Sequence, residues 1–216
     1  MTDFALARDN MIESQVRPNG VTDHRIIDSM AGIAREDFVP EHRRSVAYVD
    51  EDVEIAPGRF LIEAMAFAKL LQLAEIKPTD RVLHVGAGTG YGSAVIAPLA
   101  GSVTALESDA SLASKARMNL ASCPGAEVVE GPLDQGWPPA APYDVIIIEG
   151  RVGDVPQHVL HQLADSGRLV AVSGEGDVSK AMIWTAQGGG FASRPAFDAT
   201  VSPLPGFARK KPAFVF

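Results

Sequence analysis

Three glycines at alternating positions and one downstream carboxylate are the residues of this chain best suited to chemistry. Gly86, Gly88 and Gly90 follow an apolar run, and Glu107 ends a second apolar run. Glycines let a backbone approach a ligand closely, and the N–H groups at a helix start lack partners within the helix. A carboxylate at the end of the next strand can accept hydrogen bonds from a ribose diol. The pattern predicts a site for a nucleoside-containing cofactor.

The glycine spacing distinguishes two classes of cofactor. The turn reads G-A-G-T-G-Y, so the last glycine of the dinucleotide fingerprint G-x-G-x-x-G is displaced by one position, to Gly92. S-adenosylmethionine has no pyrophosphate to seat on the helix N-terminus, and the sequence therefore favours it over a dinucleotide. An ordinary βα turn without a ligand is the alternative. The residues predicted to contact the cofactor are Gly86, Ala87, Gly88, Gly90, Tyr91, Glu107, Ser108 and Leu133.

Composition restricts the class of protein. The chain has 216 residues, enough for one domain with a substantial core. Its formal net charge of −8 argues against a nucleic-acid binder, because no basic stripe is present to neutralise phosphates. The single cysteine, Cys123, excludes an internal disulfide and is typical of a reducing cytosol. We expect a cytoplasmic protein without a signal peptide or a membrane span, and a solvated basic cluster at 208–211.

The order of the predicted elements indicates an α/β fold. Residues 1–78 have helical patterns around an extended segment at 53–60, and Thr22 or Asp23 is a candidate helix cap. From Asp80 onward, strands alternate with helices, which predicts a parallel sheet. The expected strands are 81–86, 102–107, 126–130, 143–149 and 167–173, and the expected helices lie near 90–99, 110–121 and 156–164.

The end of the chain has a different pattern. Segments 181–186 and 191–197 flank three glycines and predict an antiparallel hairpin, and a closing edge strand is expected within 201–216. We expect one domain over 1–216. Its parts are an N-terminal helical and substrate-side segment, 1–78, and a cofactor-binding α/β core, 79–216.

Several further segments resemble one known family. Residues 20–30, 35–40 and 47–50 are similar to the opening of the protein-L-isoaspartate O-methyltransferases, and 141–144 and 167–170 match that family in order and spacing. The glycine turn matches as well. The resemblance implies a class I S-adenosylmethionine-dependent methyltransferase with a Rossmann-like fold. Such a fold has a mostly parallel seven-stranded sheet, helices on both faces and here an N-terminal helical extension.

The resemblance also implies a reaction. The family transfers a methyl group from S-adenosylmethionine to the free carboxylate of L-isoaspartyl residues in damaged proteins, so the expected partner is a protein or peptide substrate. A carboxylate with a pKa of about 4 is ionised at pH 7 and needs no base. The enzyme has to align it with the methyl group and exclude water. The alternative is a cofactor-binding or regulatory member with an altered substrate or no turnover.

The chain departs from the family in the segment that contacts substrate. Arg59, Phe60, Ile62 and Ala64 stand where the family has glutamine, threonine, serine and proline. Among these four, Arg59 could bind a carboxylate in bidentate fashion, and a surface arginine beside a turn is the alternative. Glu149 could orient a substrate or be a solvated strand end. The candidate catalytic residues are Arg59, Phe60, Ile62 and Glu149.

Other departures concern the cofactor side and the glycine-turn strand. The family's Gly-Asp-Gly, whose aspartate contacts adenine, is replaced by Gly-Pro-Leu at 131–133, so backbone groups, apolar packing or the displaced Asp134 would recognise adenine. His84 replaces an acidic residue, and we expect a buried neutral histidine paired with backbone. His158 and His161 share a helical face without a third ligand, so no metal site is predicted. We expect S-adenosylhomocysteine to bind and isoaspartyl methylation to be weak or absent.

Overall fold

A computed structural model describes residues 3–175 and 178–207 of the chain. The strands of these ranges are β1 (Val53–Ala56), β2 (Arg59–Leu61), β3 (Arg81–Val85), β4 (Ser102–Glu107), β5 (Ala126–Glu130), β6 (Tyr143–Val152), β7 (Leu163–Glu175), β8 (Val178–Gln187) and β9 (Gly190–Asp198). The α-helices are α1 (Phe4–Met11), α2 (His24–Gly32), α3 (Ala64–Ala74), α4 (Tyr91–Ile96), α5 (Ala110–Asn119) and α6 (Gln157–Leu160). Short 3-10 or π turns cover Ile12–Val16, Arg17–Asn19, Arg35–Phe38, Glu41–Val46, Ala97–Leu99, Leu133–Gln135 and Pro138–Ala140.

The main sheet is mostly parallel. Its seven strands lie in the order β5-β4-β3-β6-β7-β8-β9, and β1 pairs with β2 in a separate hairpin. The five strands β5, β4, β3, β6 and β7 are parallel to one another, whereas β8 pairs antiparallel with β7 and β9 pairs antiparallel with β8. The strand order reverses between β3 and β6, and ligands of open α/β sheets bind beyond the carboxyl ends of the strands at such a point. The predicted class I methyltransferase fold is confirmed.

The central strands are apolar on both faces because both faces are covered. Val145 and Ile147 of β6 pack in a core formed with the N-terminal helices and α4. Ile146 and Ile148 of the same strand point to the other side, where α6 and Leu204 cover them. A strand buried on two sides has a continuous rather than an alternating apolar pattern, as this one does.

Most of the predicted elements are present, with two corrections. The helix expected at 156–164 is shorter, Gln157–Leu160, because β7 already begins at Leu163. The expected closing strand is wrong for 201–207, which forms an isolated bridge between Arg151 and Pro203. Prolines lack the N–H that a ladder needs, and among the described residues β9 is the last strand on this side of the sheet.

The helix cap and the extended segment expected in the N-terminal part of the chain are both present. Residues 208–216, with the predicted basic cluster, lie outside the described ranges. Asp23 caps α2 by accepting the N–H of Arg25 at 2.9 Å. The extended segment at 53–60 forms the β1–β2 hairpin. Across the described ranges, no helix has the length and apolarity that crossing a membrane requires.

A buried arginine attaches the N-terminal segment to the rest of the fold. Arg35 is 1% exposed, and its guanidinium donates to the carbonyl of Ala47 and to that of Ile62, each at 2.7 Å. It also lies over the ring of Tyr91, 4.8 Å from the centroid. The two hydrogen bonds and the contact with the ring face offset part of the cost of removing the guanidinium from water, and Nη1 has no hydrogen-bond partner. Arg35 therefore connects the backbone at Ala47 with the backbone at Ile62, directly after β2.

We expect Arg35→Ala to lower the free energy of unfolding by about 3 kcal/mol, because two buried carbonyls would lose their donor. Chemical denaturation followed by circular dichroism measures the change. Arg44→Ala is the control, since Arg44 is exposed and pairs with Asp37 at 3.5 Å; it should change the stability by about 0.5 kcal/mol or less. Equal effects of the two substitutions would contradict the role given to Arg35.

Candidate functional site

The glycine turn connects β3 to α4. Gly86 and Gly90 have φ angles of +85° and +98°, which residues with a side chain rarely adopt. The N–H groups of Gly86 and Ala87 both donate to the carbonyl of Leu106, at 3.0 Å each. These bonds hold the turn against the end of β4, which pairs with β3 in parallel register.

Glu107, the last residue of β4, is completely buried beside this turn. Its carboxylate accepts backbone N–H groups from Gly88 at 2.7 Å, Ser108 at 2.7 Å and Asp109 at 2.9 Å. The sequence correctly placed the carboxylate at the strand end next to the glycines. Three N–H donors fix its orientation.

Arg59 of β2 completes the environment of Glu107. Its Nη2 lies 2.6 Å from Oε2, and its Nη1 donates to Oε1, so the ion pair is bidentate. Burial by itself raises the pKa of Glu107, but the hydrogen bonds and charge of Arg59 and the N–H donors of Asp109 and Gly88 bring that pKa below its ordinary value. Arg59 is only 6% exposed, so its interpretation as a surface arginine is wrong.

Two apolar side chains cover the glycines. A Cβ atom placed on Gly86 would lie 2.8 Å from Cδ1 of Leu204, and one placed on Gly88 would lie 2.7 Å from Cδ1 of Ile55. Neither Leu204 nor Ile55 was among the predicted site residues. The alternation of apolar and charged residues in Val53-Glu54-Ile55 could have indicated Ile55, whereas Leu204 stands between two prolines with no pattern around it.

The residue types at this turn suit an adenosyl group, because they combine unsubstituted backbone with an ionised carboxylate. The space over the turn, however, is filled by side chains of the chain itself. In this structure Arg59, Ile55 and Leu204 occupy it, and Glu107 is engaged by its own chain. An adenosyl ligand would fit here after these side chains move.

The other predicted cofactor contacts differ in exposure. Ala87 and Leu133 are buried, and Ser108 is exposed next to Glu107. The ring of Tyr91 is 1% exposed and points into the core, where Phe38 and Phe67 contact it. Burial raises the pKa of Tyr91 above its ordinary value.

On the expected adenine side, Trp137 covers Gly131 and was not predicted. A Cβ atom on Gly131 would lie 3.2 Å from the Trp137 ring. Asp134, the displaced candidate for adenine recognition, accepts a hydrogen bond from His158 through its main-chain carbonyl at 2.8 Å. Its side chain therefore keeps its capacity for other contacts on this side of the site.

A buried polar chain lies beneath the turn. His84 Nδ1 is 2.8 Å from Ser93 Oγ, and His84 Nε2 is 2.8 Å from Glu149 Oε2. All three side chains are at most 4% exposed. The expected backbone partner of His84 is therefore wrong, and so is the solvated strand end at Glu149, because β6 continues to Val152. A serine–histidine–carboxylate order without solvent access belongs to the core and does not face a substrate.

The substrate-side candidates are placed differently from one another. Ile62 is 1% exposed and packs in the core, while Phe60 is half-buried on β2. Glu63, which follows Ile62 in the sequence, donates its N–H to the carboxylate of Asp52 at 2.8 Å. Burial, followed by the charges of Asp52 and Asp50, raises the pKa of Glu63 to about 7.

Within 3–175 and 178–207, no three histidine, cysteine, aspartate or glutamate side chains are grouped as metal ligands. His158 and His161 are exposed, and His161 Nδ1 lies 2.7 Å from the carbonyl of Gln157.

Comparison with known proteins assigns the family. A family model described as Protein-L-isoaspartate(D-aspartate) O-methyltransferase matches residues 7–191. The chain belongs to this family. A protein-L-isoaspartate O-methyltransferase of Koribacter versatilis is 35% identical over 99% of the chain and 97% of its own length. One of Methanoculleus marisnigri is 40% identical over 77% of each chain.

Solved structures support the fold of this family member. A putative protein-L-isoaspartate O-methyltransferase from Plasmodium falciparum, in complex with S-adenosyl-L-homocysteine, has a TM-score of 0.78 and 18% identity. The similarity covers 95% of this chain and all of that one. Another protein-L-isoaspartate O-methyltransferase structure has a TM-score of 0.78 at 21% identity, covering 93% of this chain and 67% of its own.

The buried chain beneath the turn leaves no room at Gly92. A Cβ atom there would collide with Glu149 Oε2 and lie 2.6 Å from His84 Cε1. We expect Gly92→Ala to lower the free energy of unfolding by about 2 kcal/mol. Gly32→Ala is the matched control in a helix, because nothing lies within 4 Å of its Cβ position; it should raise stability by about 0.5 kcal/mol. Urea denaturation that ranks the two substitutions in the opposite order would refute the packing described.

The raised pKa of Glu63 predicts a pH-dependent stability. Between its ordinary pKa and about 7, the folded state holds a proton that the unfolded state has lost, so this group's contribution to stability falls as pH rises. We expect Glu63→Gln to gain about 1 kcal/mol relative to the wild type between pH 5 and pH 8, after allowance for solvent screening. Denaturation at a series of pH values measures this gain. Glu51→Gln, an exposed neighbour, should give a curve parallel to that of the wild type.

Proposed function

We propose that this chain is an S-adenosylmethionine-dependent methyltransferase that esterifies carboxylates of proteins, with L-isoaspartyl residues as the acceptor class. One observation carries the proposal: the family match extends over residues 7–191 and includes the glycine turn and Glu107, which parallel strands bring into contact. The names of the relatives favour a methyltransferase over a binding protein without turnover, and for this reason the proposal replaces the expectation of weak or absent isoaspartyl methylation.

The proposed chemistry requires little of the protein's own acid–base groups. S-adenosylmethionine supplies an electrophilic methyl group on a sulfonium. A carboxylate oxygen of the acceptor forms the new bond to carbon as the carbon–sulfur bond breaks, and the electron pair stays on sulfur. The products are a methyl ester and S-adenosylhomocysteine. The acceptor is ionised at neutral pH, so no residue has to remove a proton.

The chain's residues would then bind, orient and exclude water. We assign the backbone of 86–90 and the carboxylate of Glu107 to the adenosyl ligand, with Ser108 and Leu133 beside them. Phe60 supplies apolar surface where the family carries a hydroxyl, while Ile62 packs in the core, so alignment of the acceptor would rest on shape and water exclusion. We further propose that the chain acts as one domain and works in the cytoplasm, where its single thiol, Cys123, stays reduced.

Two measurements on one preparation test the proposal. We expect calorimetry to detect binding of S-adenosylhomocysteine and radiolabelled methyl transfer to an L-isoaspartyl peptide to exceed that to its normal aspartyl counterpart. Base-labile release of the label identifies a methyl ester. Ligand binding without transfer would leave a family member that binds cofactor and uses another acceptor or none. Absence of both signals would overturn the proposal.

A further inference from the structure

We propose that Arg59 is a latch that closes the cofactor groove, so that an adenosyl ligand binds only when the guanidinium has left Glu107. The inference rests on the proposed function, because it concerns the affinity of the same site. It gives Arg59 a role as a determinant of cofactor affinity rather than as a donor to the acceptor carboxylate.

The number of N–H donors around Glu107 implies that Arg59 and a ribose would compete for its carboxylate. A carboxylate offers about four lone-pair positions. Five N–H donors already use them: Arg59 Nη1 and the N–H groups of Ser108 and Asp109 on Oε1, and Arg59 Nη2 and the N–H of Gly88 on Oε2. No position remains for a ribose hydroxyl. The three N–H donors belong to the main chain, one in the glycine turn and two directly after β4, so Arg59 is the donor that a ligand can replace.

The backbone position of Arg59 makes such a release feasible. Strands β1 and β2 form a two-stranded hairpin outside the main sheet. The hairpin carries both Arg59 and Ile55, which covers Gly88. A movement of this hairpin would therefore uncover the carboxylate and the glycine turn together.

A neighbouring cavity provides space for that movement. It has a volume of about 510 Å³ and is lined by Ile55, Thr89, Ser111 and Lys115 among others. Ile55 thus separates the cavity from the glycine that its Cδ1 covers. Displacement of Ile55 would connect the cavity with the turn.

The second cover is linked to the hairpin by one carboxylate. Asp52 accepts the N–H of Glu63 at 2.8 Å through Oδ1 and the N–H of Ser202 at 2.5 Å through Oδ2. Ser202 lies two residues before Leu204, which covers Gly86. The segment that carries Leu204 is therefore attached to the residues flanking the hairpin, and the two covers form one closed arrangement.

A closed arrangement lowers the apparent affinity by the fraction of open molecules. Arg59→Gln introduces the neutral residue that the family resemblance places here, and it removes the bidentate ion pair. We expect it to bind S-adenosylhomocysteine at least 10-fold more tightly than the wild type in calorimetry. Arg43→Gln is the matched control, because exposed Arg43 pairs with Glu54 of the same hairpin at 3.8 Å; its affinity should equal that of the wild type.

Two further variants separate a latch from a structural role. Arg59→Lys keeps the charge without the bidentate fork and should give an intermediate affinity. It also serves if Arg59→Gln does not fold, since a Glu107 left buried without its partner is costly. In a Glu107→Gln background, Arg59→Gln should bring no gain in affinity, because the carboxylate for which Arg59 and the ribose compete is gone.

The outcomes distinguish the two proposals. Wild-type affinity in both Arg59 variants would overturn the latch and leave the proposed function intact. A 10-fold gain that persists in the Glu107→Gln background would also overturn it, because competition for the carboxylate could not be its cause. If none of the variants binds S-adenosylhomocysteine, the latch and the proposed function fail together. A gain in Arg59→Gln, graded in Arg59→Lys and absent without Glu107, supports the latch.

Discussion

The buried ion pair between Arg59 and Glu107 is the contact on which the rest of the site depends. A carboxylate without access to water requires compensation, and Arg59 provides it from a strand 48 residues earlier in the chain. The same carboxylate accepts hydrogen bonds from the N–H groups of Gly88, Ser108 and Asp109. The hairpin, the glycine turn and the end of β4 are consequently one hydrogen-bonded unit. A change in the position of one of them alters the electrostatics of the other two.

This unit explains how a family fold can be retained while its groove is closed. The backbone frame of β3, the turn and α4 is that of a class I methyltransferase, and its glycines keep the main chain free of side chains. The volume that this creates is filled by Ile55 and Leu204, which lie before and after the turn in the sequence. Closure therefore arises from side chains outside the frame. The core beneath it contains the buried pair of His84 and Glu149.

The parts of this structure that could be predicted from the sequence are those determined by neighbouring residues. Apolar runs identified the parallel strands, and alternating glycines with Glu107 identified the turn, because each pattern lies within a few residues. The partner of Arg59 could not be predicted, since it depends on where a hairpin outside the sheet comes to lie. The same holds for His84, whose burial was expected but whose partner, Glu149, comes from a neighbouring strand. Prolines on both sides of Leu204 gave no indication that it packs over a glycine.

Strand β9, at the edge of the sheet, has a consequence for how copies of this chain behave in concentrated solution. An edge strand presents unpaired N–H and C=O groups to which another chain can add. Pro195 lies within β9 and lacks an N–H, and the pairing of β9 with β8 shifts by one residue near it, between Ala181 and Met182. Arg194 and Asp198 add charge along the same strand. These features oppose edge-to-edge polymerisation and protect the open side of the sheet from aggregation.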